Sequence, residues 1–144
     1  MTKPMRVDEL GDRISNICKE HREIIAAYLF GSQAGERADE SSDVDIALLL
    51  EYRGVKNFPY LDFKVQLERT LNRDVDLVIL NQAGEILKHQ IRRYGKIVHE
   101  SKPAIRKQWE ISSWRLYQDF LYLHKIYLKK LYARYKDKKW LTGK

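Results

Sequence analysis

The apolar positions of the chain switch between helical spacing and short continuous runs. Helical spacing predicts amphipathic helices at residues ~6–22, 60–71 and 86–94, the last one stopping at Gly95. Continuous apolar runs predict strands at residues 24–30, 43–50 and 74–80, and a very short strand at 97–99. Aromatic and aliphatic residues from about 104 to 135 predict one long helix or two broken helices.

This order of elements predicts an α/β or α+β fold, in which a small mixed sheet is flanked by helices. The pattern also divides the chain into two parts. We expect residues 1–101 to form the domain that carries the sheet. Residues 102–144 are expected to form a helical tail, rich in basic and aromatic residues, that packs on this domain or on a partner.

The composition is that of a globular chain with its own core. It has 144 residues, of which 44% are hydrophobic and 33% charged. The single cysteine, Cys18, lies among isoleucines at helical spacing and is expected in the core. No apolar run approaches the ~18 residues of a membrane span, and the N-terminus does not match a secretion signal. We therefore expect a cytoplasmic protein.

The net charge of +7 is concentrated in the tail. Residues 1–101 carry 15 Lys/Arg and 17 Asp/Glu, a net charge of −2, whereas residues 102–144 carry 12 and 3, a net charge of +9. Such a tail is suited to nucleic acid or to an acidic protein surface. Aromatic residues at helical spacing favour packing against a core or a partner over base stacking, so nucleic acid is the less favoured alternative.

Three aspartates carry the candidate chemistry. Side chains alternate along a strand, so Asp43 and Asp45 project the same way, with Cα atoms roughly 6.5 Å apart. Two carboxylates crowded on one face repel each other, and a divalent cation relieves that repulsion. Mg²⁺ prefers carboxylate oxygens and substrate phosphates, and a two-metal site needs shared carboxylates. Asp76, in the next strand, is the predicted third ligand, with Asp74 at the mouth of that strand.

Gly31 and Ser32 form a predicted phosphate-binding turn. They follow a strand, where glycine lets the backbone approach a phosphate and the amides and hydroxyl can hold anionic oxygens. The P-loop pattern G-x-x-x-x-G-K-[ST] does not occur in the chain, so P-loop chemistry is not expected.

The arrangement G-S, ten residues, D-x-D and then an Asp within V-D-L-V resembles the DNA polymerase β-like nucleotidyltransferase superfamily. The shortness of the chain is similar to the minimal nucleotidyltransferase branch of that superfamily. The segments LKHQIRRYGKIVHE (87–100) and 109–132 also look like the closing helix-and-turn and the tail of such proteins. Only the G-S, D-x-D and Asp constellation is specific.

This resemblance implies a role for each matching residue. Asp43 and Asp45 would be catalytic metal ligands, and Asp76 the third ligand and the base for the acceptor hydroxyl. Gly31 and Ser32 would contact the triphosphate, together with Asp43 and Asp45 at the nucleotide. Members of this branch are often antitoxins paired with HEPN-domain ribonuclease toxins, and some transfer AMP from ATP to a toxin tyrosine. The implied substrate is therefore ATP, the implied cofactor Mg²⁺, and the implied partner a HEPN-domain toxin in a hetero-oligomer.

One departure from the family pattern leaves alternatives open. Many relatives read G-S-x-A-R-G, whereas this chain has Gly35 and Glu36 in place of Arg-Gly, with Arg37 one position further on. A weak enzyme that silences its partner by occlusion is therefore an alternative. A nucleotidyltransferase acting on a small molecule is a second one, although such enzymes usually need a further substrate domain.

Overall fold

The computed structural model describes residues 6–31 and 43–141, with side chains described as far as residue 137. The helices of this part are α1 (Val7–Cys18), α2 (Tyr60–Leu71), α3 (Glu85–Tyr94) and α4 (Pro103–Leu141). Its strands are β1 (Ile24–Phe30), β2 (Val44–Leu50), β3 (Val75–Ile79) and β4 (Lys96–Glu100). Short 3-10 turns lie at Tyr52–Gly54 and Leu80–Gln82.

The strands form one mixed sheet in the order β3-β2-β1-β4. β1 pairs antiparallel with β2 and with β4, whereas β2 pairs parallel with β3. The two central strands are buried almost throughout, which explains their continuous apolar sequences. The predicted fold class, a small mixed sheet flanked by helices, is confirmed.

Each face of the sheet has its own apolar core. α1 and α2 cover one face, burying residues such as Ile14 and Phe63 against Ile46 and Leu48. On the other face Tyr28, Ala47 and Leu49 pack with Ile91 of α3 and Trp109 of α4. The register of β1 shifts between Ile24 and Ala26, so that Ile25 and Ala26 join the second face together.

The outer edge of β3 is covered by side chains of α2. The Tyr60 hydroxyl donates a hydrogen bond to the Leu77 carbonyl oxygen (2.5 Å), and the Val75 amide donates to Glu68 Oε2 (3.2 Å). Edge strands that offer unpaired backbone groups are templates for unwanted strand pairing. These two bonds occupy a carbonyl and an amide of that edge.

A charged network fixes the first turns of α4 to the sheet. Arg106, 8% exposed, donates to Glu100 Oε2 of β4 (2.5 Å) and to Glu110 Oε1 (2.7 Å). The Tyr28 hydroxyl donates to the same oxygen of Glu110 (2.8 Å). A buried guanidinium is tolerated only when carboxylates compensate it, so these bonds hold α4 in place on β1 and β4.

α3 continues this packing along α4. Arg92 Nη1 donates to Ser113 Oγ (2.9 Å), while Arg92 Nη2 lies 2.8 Å from His89 Nδ1. The His89 ring stacks on Tyr117, with ring centroids 3.8 Å apart. The first four to five turns of α4 therefore belong to the domain core.

Several predicted boundaries are wrong. α1 ends at Cys18, where Glu20 and His21 turn back onto the Ile17 and Cys18 carbonyl groups; the polar residues after Cys18 gave no signal for that end. β3 begins at Val75 and ends before Leu80, which starts a 3-10 turn. β4 extends over five residues instead of three. α4 is one unbroken helix, which agrees with the first of the two predicted alternatives, although it ends at Leu141 and not near residue 135.

Gly95 ends α3 as predicted, but for a reason other than a left-handed conformation. Its φ is −71°, and a Cβ there would lie 2.5 Å from the Ile91 carbonyl oxygen. No helix in the described residues is both long enough and apolar enough to cross a membrane.

Candidate functional site

The predicted site residues of the described chain meet at one end of the sheet, where the end of β1 lies beside the starts of β2 and β3. Because β1 runs antiparallel to β2, the end of β1 lies beside the start of β2, with Phe30 opposite Asp45. Because β2 and β3 are parallel, their starts also meet, and Asp76 lies directly opposite Asp45. Asp43 immediately precedes β2. The structure therefore brings together the three carboxylates that the sequence singled out.

Strand alternation points Asp45 and Asp76 to the face that α3 and α4 cover. Asp45 is followed on that face by Ala47 and Leu49, and Asp76 by Val78, all of which belong to the second apolar core. Asp45 itself is half-buried, whereas Asp43 and Asp76 are exposed. The carboxylates thus have water on one side and a packed apolar wall behind them, which strengthens electrostatic interactions at the site.

Asp45 titrates abnormally because of this placement. Burial raises its pKa, and the negative charge of Asp76 raises it further. A hydrogen bond to the Asp76 carboxyl, which stabilises the protonated form of Asp45, and the charge of Asp43 act in the same direction. A bound cation would favour the ionised form of Asp45 and so oppose these effects.

Gly31 has a role that the sequence did not reveal. Its φ is +72°, in the left-handed region that other residues avoid. A Cβ on this residue would lie 3.1 Å from the Asp45 Cγ and would overlap the Oδ2 atom. The sequence predicted a glycine that lets the backbone approach a phosphate, whereas the nearest group is a carboxylate on the neighbouring strand. Such a contact across strands has no local sequence signal.

Ser32, the other predicted triphosphate contact, lies outside the described residues, as do Gly35, Glu36 and Arg37. Asp74 lies just before β3, and its carbonyl oxygen accepts a hydrogen bond from the Val44 amide (2.9 Å). Its backbone thus joins the starts of β2 and β3. The pairing of Asp45 with Asp76 agrees with the choice of Asp76 over Asp74 as the third candidate carboxylate.

The chemistry of the donor set fits Mg²⁺, since carboxylate oxygens are its preferred protein ligands. The pairing of Asp45 with Asp76 across the parallel strands supports this fit, because a cation there would compensate the charge of two neighbouring carboxylates. Within residues 6–31 and 43–141, no three His, Cys, Asp or Glu side chains already converge as a complete set of metal ligands. The described carboxylates are close neighbours, but their side chains are not arranged around a common point.

An apolar cavity of about 400 Å³ lies beside β3. Its walls come from β3 (Leu77, Val78 and Ile79), from Tyr60 of α2 and from Leu87 of α3. Val78 is two residues after Asp76 and lies on the same face of the strand, so the cavity opens roughly 6–7 Å along β3 from the candidate site. The sequence did not predict this cavity, because it is assembled from three separate elements.

Comparisons with known proteins identify the family to which the sequence is similar. The family described as "Polymerase beta, Nucleotidyltransferase" matches residues 12–104. A "Putative protein adenylyltransferase" of Methanocaldococcus jannaschii is 32% identical over 88 residues, which cover 60% of this chain and 91% of that protein.

Solved structures share the fold. A toxin–antitoxin structure with AMP-PNP superimposes with a TM-score of 0.69 at 23% identity, covering 84% of this chain and 97% of the other. A chain of the complex between a tri-AMPylated HEPN toxin of Shewanella oneidensis and an MNT antitoxin gives 0.66 at 20% identity, covering 87% and 98%. The family match extends over about two thirds of the sequence and includes all three site aspartates. This chain therefore belongs to the polymerase beta nucleotidyltransferase family.

Proposed function

We propose that this chain is an antitoxin that transfers AMP from ATP to a tyrosine hydroxyl of a HEPN-domain toxin. The observation that carries the proposal is the cluster of Asp45 with Asp76 and Asp43 at the start of the parallel strands, where burial and then the neighbouring carboxylates raise the pKa of Asp45. The similarity to a protein named as an adenylyltransferase, and to toxin–antitoxin complexes with AMP-PNP or AMPylated toxin, supports it. Because the proposed reaction consumes ATP, we expect it to take place in the cytoplasm.

The proposed reaction is an in-line displacement at the α-phosphorus. The acceptor hydroxyl gives its proton to the Asp76 carboxylate, and its oxygen forms a bond to the α-phosphorus. The bond between that phosphorus and the bridging oxygen of the β-phosphate breaks, and pyrophosphate leaves. Asp76 suits the base because it is exposed and lies opposite Asp45, at the open edge of the sheet.

Asp43, Asp45 and Asp76 would hold Mg²⁺, which supplies positive charge for the triphosphate oxygens and for the charge that develops on pyrophosphate. Gly31 contributes by keeping the carboxylate of Asp45 free of side-chain overlap. Gly31 and Ser32 are proposed to contact the triphosphate, since they follow β1 directly in the sequence and β1 ends beside the start of β2.

The apolar cavity beside β3 favours an aromatic acceptor. It starts near Asp76 and is lined by aliphatic and aromatic side chains such as Val78, Leu87 and Phe58. A tyrosine ring can fill an apolar cavity while its hydroxyl remains close to a carboxylate. None of the residues lining this cavity is charged, so a cationic small molecule would find no carboxylate among them, although Gln82 and Tyr60 are polar.

The direct test is a transfer assay with the purified protein, Mg²⁺, each α-labelled NTP in turn and the toxin encoded beside it. Label from ATP should appear on a toxin tyrosine and should be lost in Asp43→Asn and Asp76→Asn. Asp74→Asn is the matched control, because it removes an exposed carboxylate from the same strand start. If label survived Asp76→Asn but not Asp74→Asn, Asp74 and not Asp76 would be the third catalytic carboxylate. Tight toxin binding without label from any NTP would refute the transferase and leave an antitoxin that acts by occlusion.

A further inference from the structure

The second half of α4 extends beyond the domain. Every residue from 121 to 137 is exposed except the half-buried Ile126. At 1.5 Å per residue this segment is about 25 Å long. An isolated helix of this length is marginal in water and gains its stability from packing. This part of α4 nevertheless displays large apolar side chains around most of its surface.

One row of these side chains continues the face by which α4 packs on its own domain. Arg106, Glu110, Ser113 and Tyr117 lie on one face, because they are separated by three or four residues, and they contact the sheet and α3. The same spacing leads on to an exposed row, which we call the free stripe: Leu121, His124, Leu128, Leu131 and Tyr135.

The free stripe begins beside the N-terminus of α3, where the cover that α3 gives to α4 stops. α3 runs antiparallel along α4, with Arg92 at Ser113 and His89 at Tyr117. Because α3 starts at Glu85, its cover ends about one turn beyond Tyr117. A helix placed in line with α3 would cover the free stripe in the way that α3 covers the preceding turns.

The charges beside the free stripe select the partner. Lys125 and Lys136 lie along one side of it and Arg134 along the other, while residues 121–137 carry five basic side chains and one acidic one. Two copies of the segment would therefore repel each other in either orientation. Three leucines on one helix face, Leu121, Leu128 and Leu131, also have no role in phosphate recognition, which favours protein over nucleic acid as the partner.

We propose that the free stripe binds an acidic amphipathic helix of a partner protein, in line with α3. This inference rests on the proposed function in one respect: it takes the partner protein to be the same protein that accepts AMP. Leucines of the partner helix pack on Leu121, Leu128 and Leu131, and glutamates or aspartates beside them pair with the flanking basic residues. The stripe thereby holds the acceptor protein next to the catalytic domain.

The test measures binding of fluorescent probes to the full chain by anisotropy. The first probe is a synthetic peptide of leucine heptads with glutamate at the flanking positions, and a lysine-flanked version controls for charge. A single-stranded RNA oligonucleotide is the third probe. The glutamate peptide should bind, and Leu128→Ala should weaken its binding about tenfold.

Leu123→Ala is the matched control, since it makes the same change on the opposite side of the same helix and should leave binding unchanged. Lys125→Glu should weaken binding more than Lys130→Glu, which points away from the free stripe. Asp45→Asn should bind the peptide as tightly as the wild type, so that a failure of transfer and a failure of docking are distinguishable.

Three results would overturn the inference. The first is RNA binding that outcompetes the glutamate peptide and is indifferent to Leu128→Ala. The second is a stable dimer, detected by sedimentation and lost in Leu128→Ala. The third is equal affinity for the glutamate and lysine peptides, or no binding of either peptide.

Discussion

Gly31 and Asp45, fourteen residues apart in the sequence, occupy adjoining space at the start of the sheet. The backbone of Gly31 turns through φ +72°, and the Asp45 carboxylate fills the volume that a side chain on Gly31 would need. The glycine and the aspartate are thus one structural unit, because any side chain at position 31 displaces a group of the candidate site.

Gly31→Ala should therefore impair transfer far more than folding. The left-handed backbone costs an alanine about 1–2 kcal/mol, while the methyl group pushes the Asp45 carboxylate aside. Displacement of a catalytic group by about 1 Å can lower the rate roughly 100-fold. Urea unfolding measures the loss of stability, and the rate of AMP transfer measures the loss of activity. Gly84→Ala is the control, since its φ is −71° and a Cβ there meets nothing within 4 Å. Full activity of Gly31→Ala would contradict the contact.

Asp45→Asn should stabilise the metal-free protein at neutral pH. The folded-state pKa of Asp45 is raised, so the folded chain holds its proton more tightly than the unfolded chain does. Stability therefore falls as the pH rises from the ordinary pKa of 3.8 through the raised value, and the amide removes that loss. We expect a gain of about 0.5–1 kcal/mol at pH 7, the scale of partly exposed charge pairs.

The pH dependence of this gain identifies its origin. Well below the ordinary pKa of 3.8 the wild-type carboxyl is neutral in both the folded and the unfolded chain, so the advantage of Asp45→Asn should disappear there. Asp74→Asn, an exposed aspartate that precedes β3, should change stability by less than about 0.5 kcal/mol at either pH. Chemical denaturation in chelator-containing buffer measures both variants. A destabilised Asp45→Asn at pH 7 would show that the carboxylate pairs with a positive group instead.

Arg106→Met should destabilise the chain by about 2–3 kcal/mol. The substitution leaves Glu100 and Glu110 without the guanidinium that compensates them, and both carboxylates are about one-third exposed, which moderates the cost. Lys107→Met, one residue further along an exposed face of α4, is the matched control and should be close to neutral. Equal stability of the two variants in thermal unfolding would exclude the network as the anchor of α4.

Cys18 should be unreactive in the folded protein. Burial raises the pKa of its thiol to about 12, so almost no thiolate forms at pH 8. A thiol-specific disulfide reagent should therefore modify it only after the chain is unfolded in guanidinium chloride. Rapid modification of the native protein would mean that α1 opens readily from the sheet.

The sequence predicted those features that local patterns encode. The runs 24–30 and 44–50 are buried on both faces, so their continuous apolar character marked them as strands, and the alternation rule placed the aspartates. The end of α1 was missed because the polar residues after Cys18 fit a helix as well as a loop. The end of β3 was missed because Leu80 continues the apolar run of the strand into the 3-10 turn. The seating of Arg106 between two glutamates was not predictable either, because Glu100 and Glu110 lie on different elements.

The sequence predicted which residues come together at the candidate site, but not how far each of them is buried. The order of Gly31, Asp43, Asp45 and Asp76 indicated which residues meet. It did not indicate that Asp45 is half-buried and the other two aspartates exposed, since burial depends on the helices that cover the sheet. The cavity beside β3 and the free stripe on α4 likewise depend on how separate elements pack.

The bonds from α2 to the outer edge of β3 also have a consequence for Asp76. Glu68 holds the Val75 amide and Tyr60 holds the Leu77 carbonyl, so the residues on both sides of Asp76 are fixed from outside the sheet. A slip of β3 by one residue would turn Asp76 to the opposite face and bury its carboxylate against α2. Without the bonds from α2, only the pairing of β3 with β2 would prevent that slip. α2, which contributes none of the candidate catalytic groups, thus secures the alignment of the strand that carries one of them.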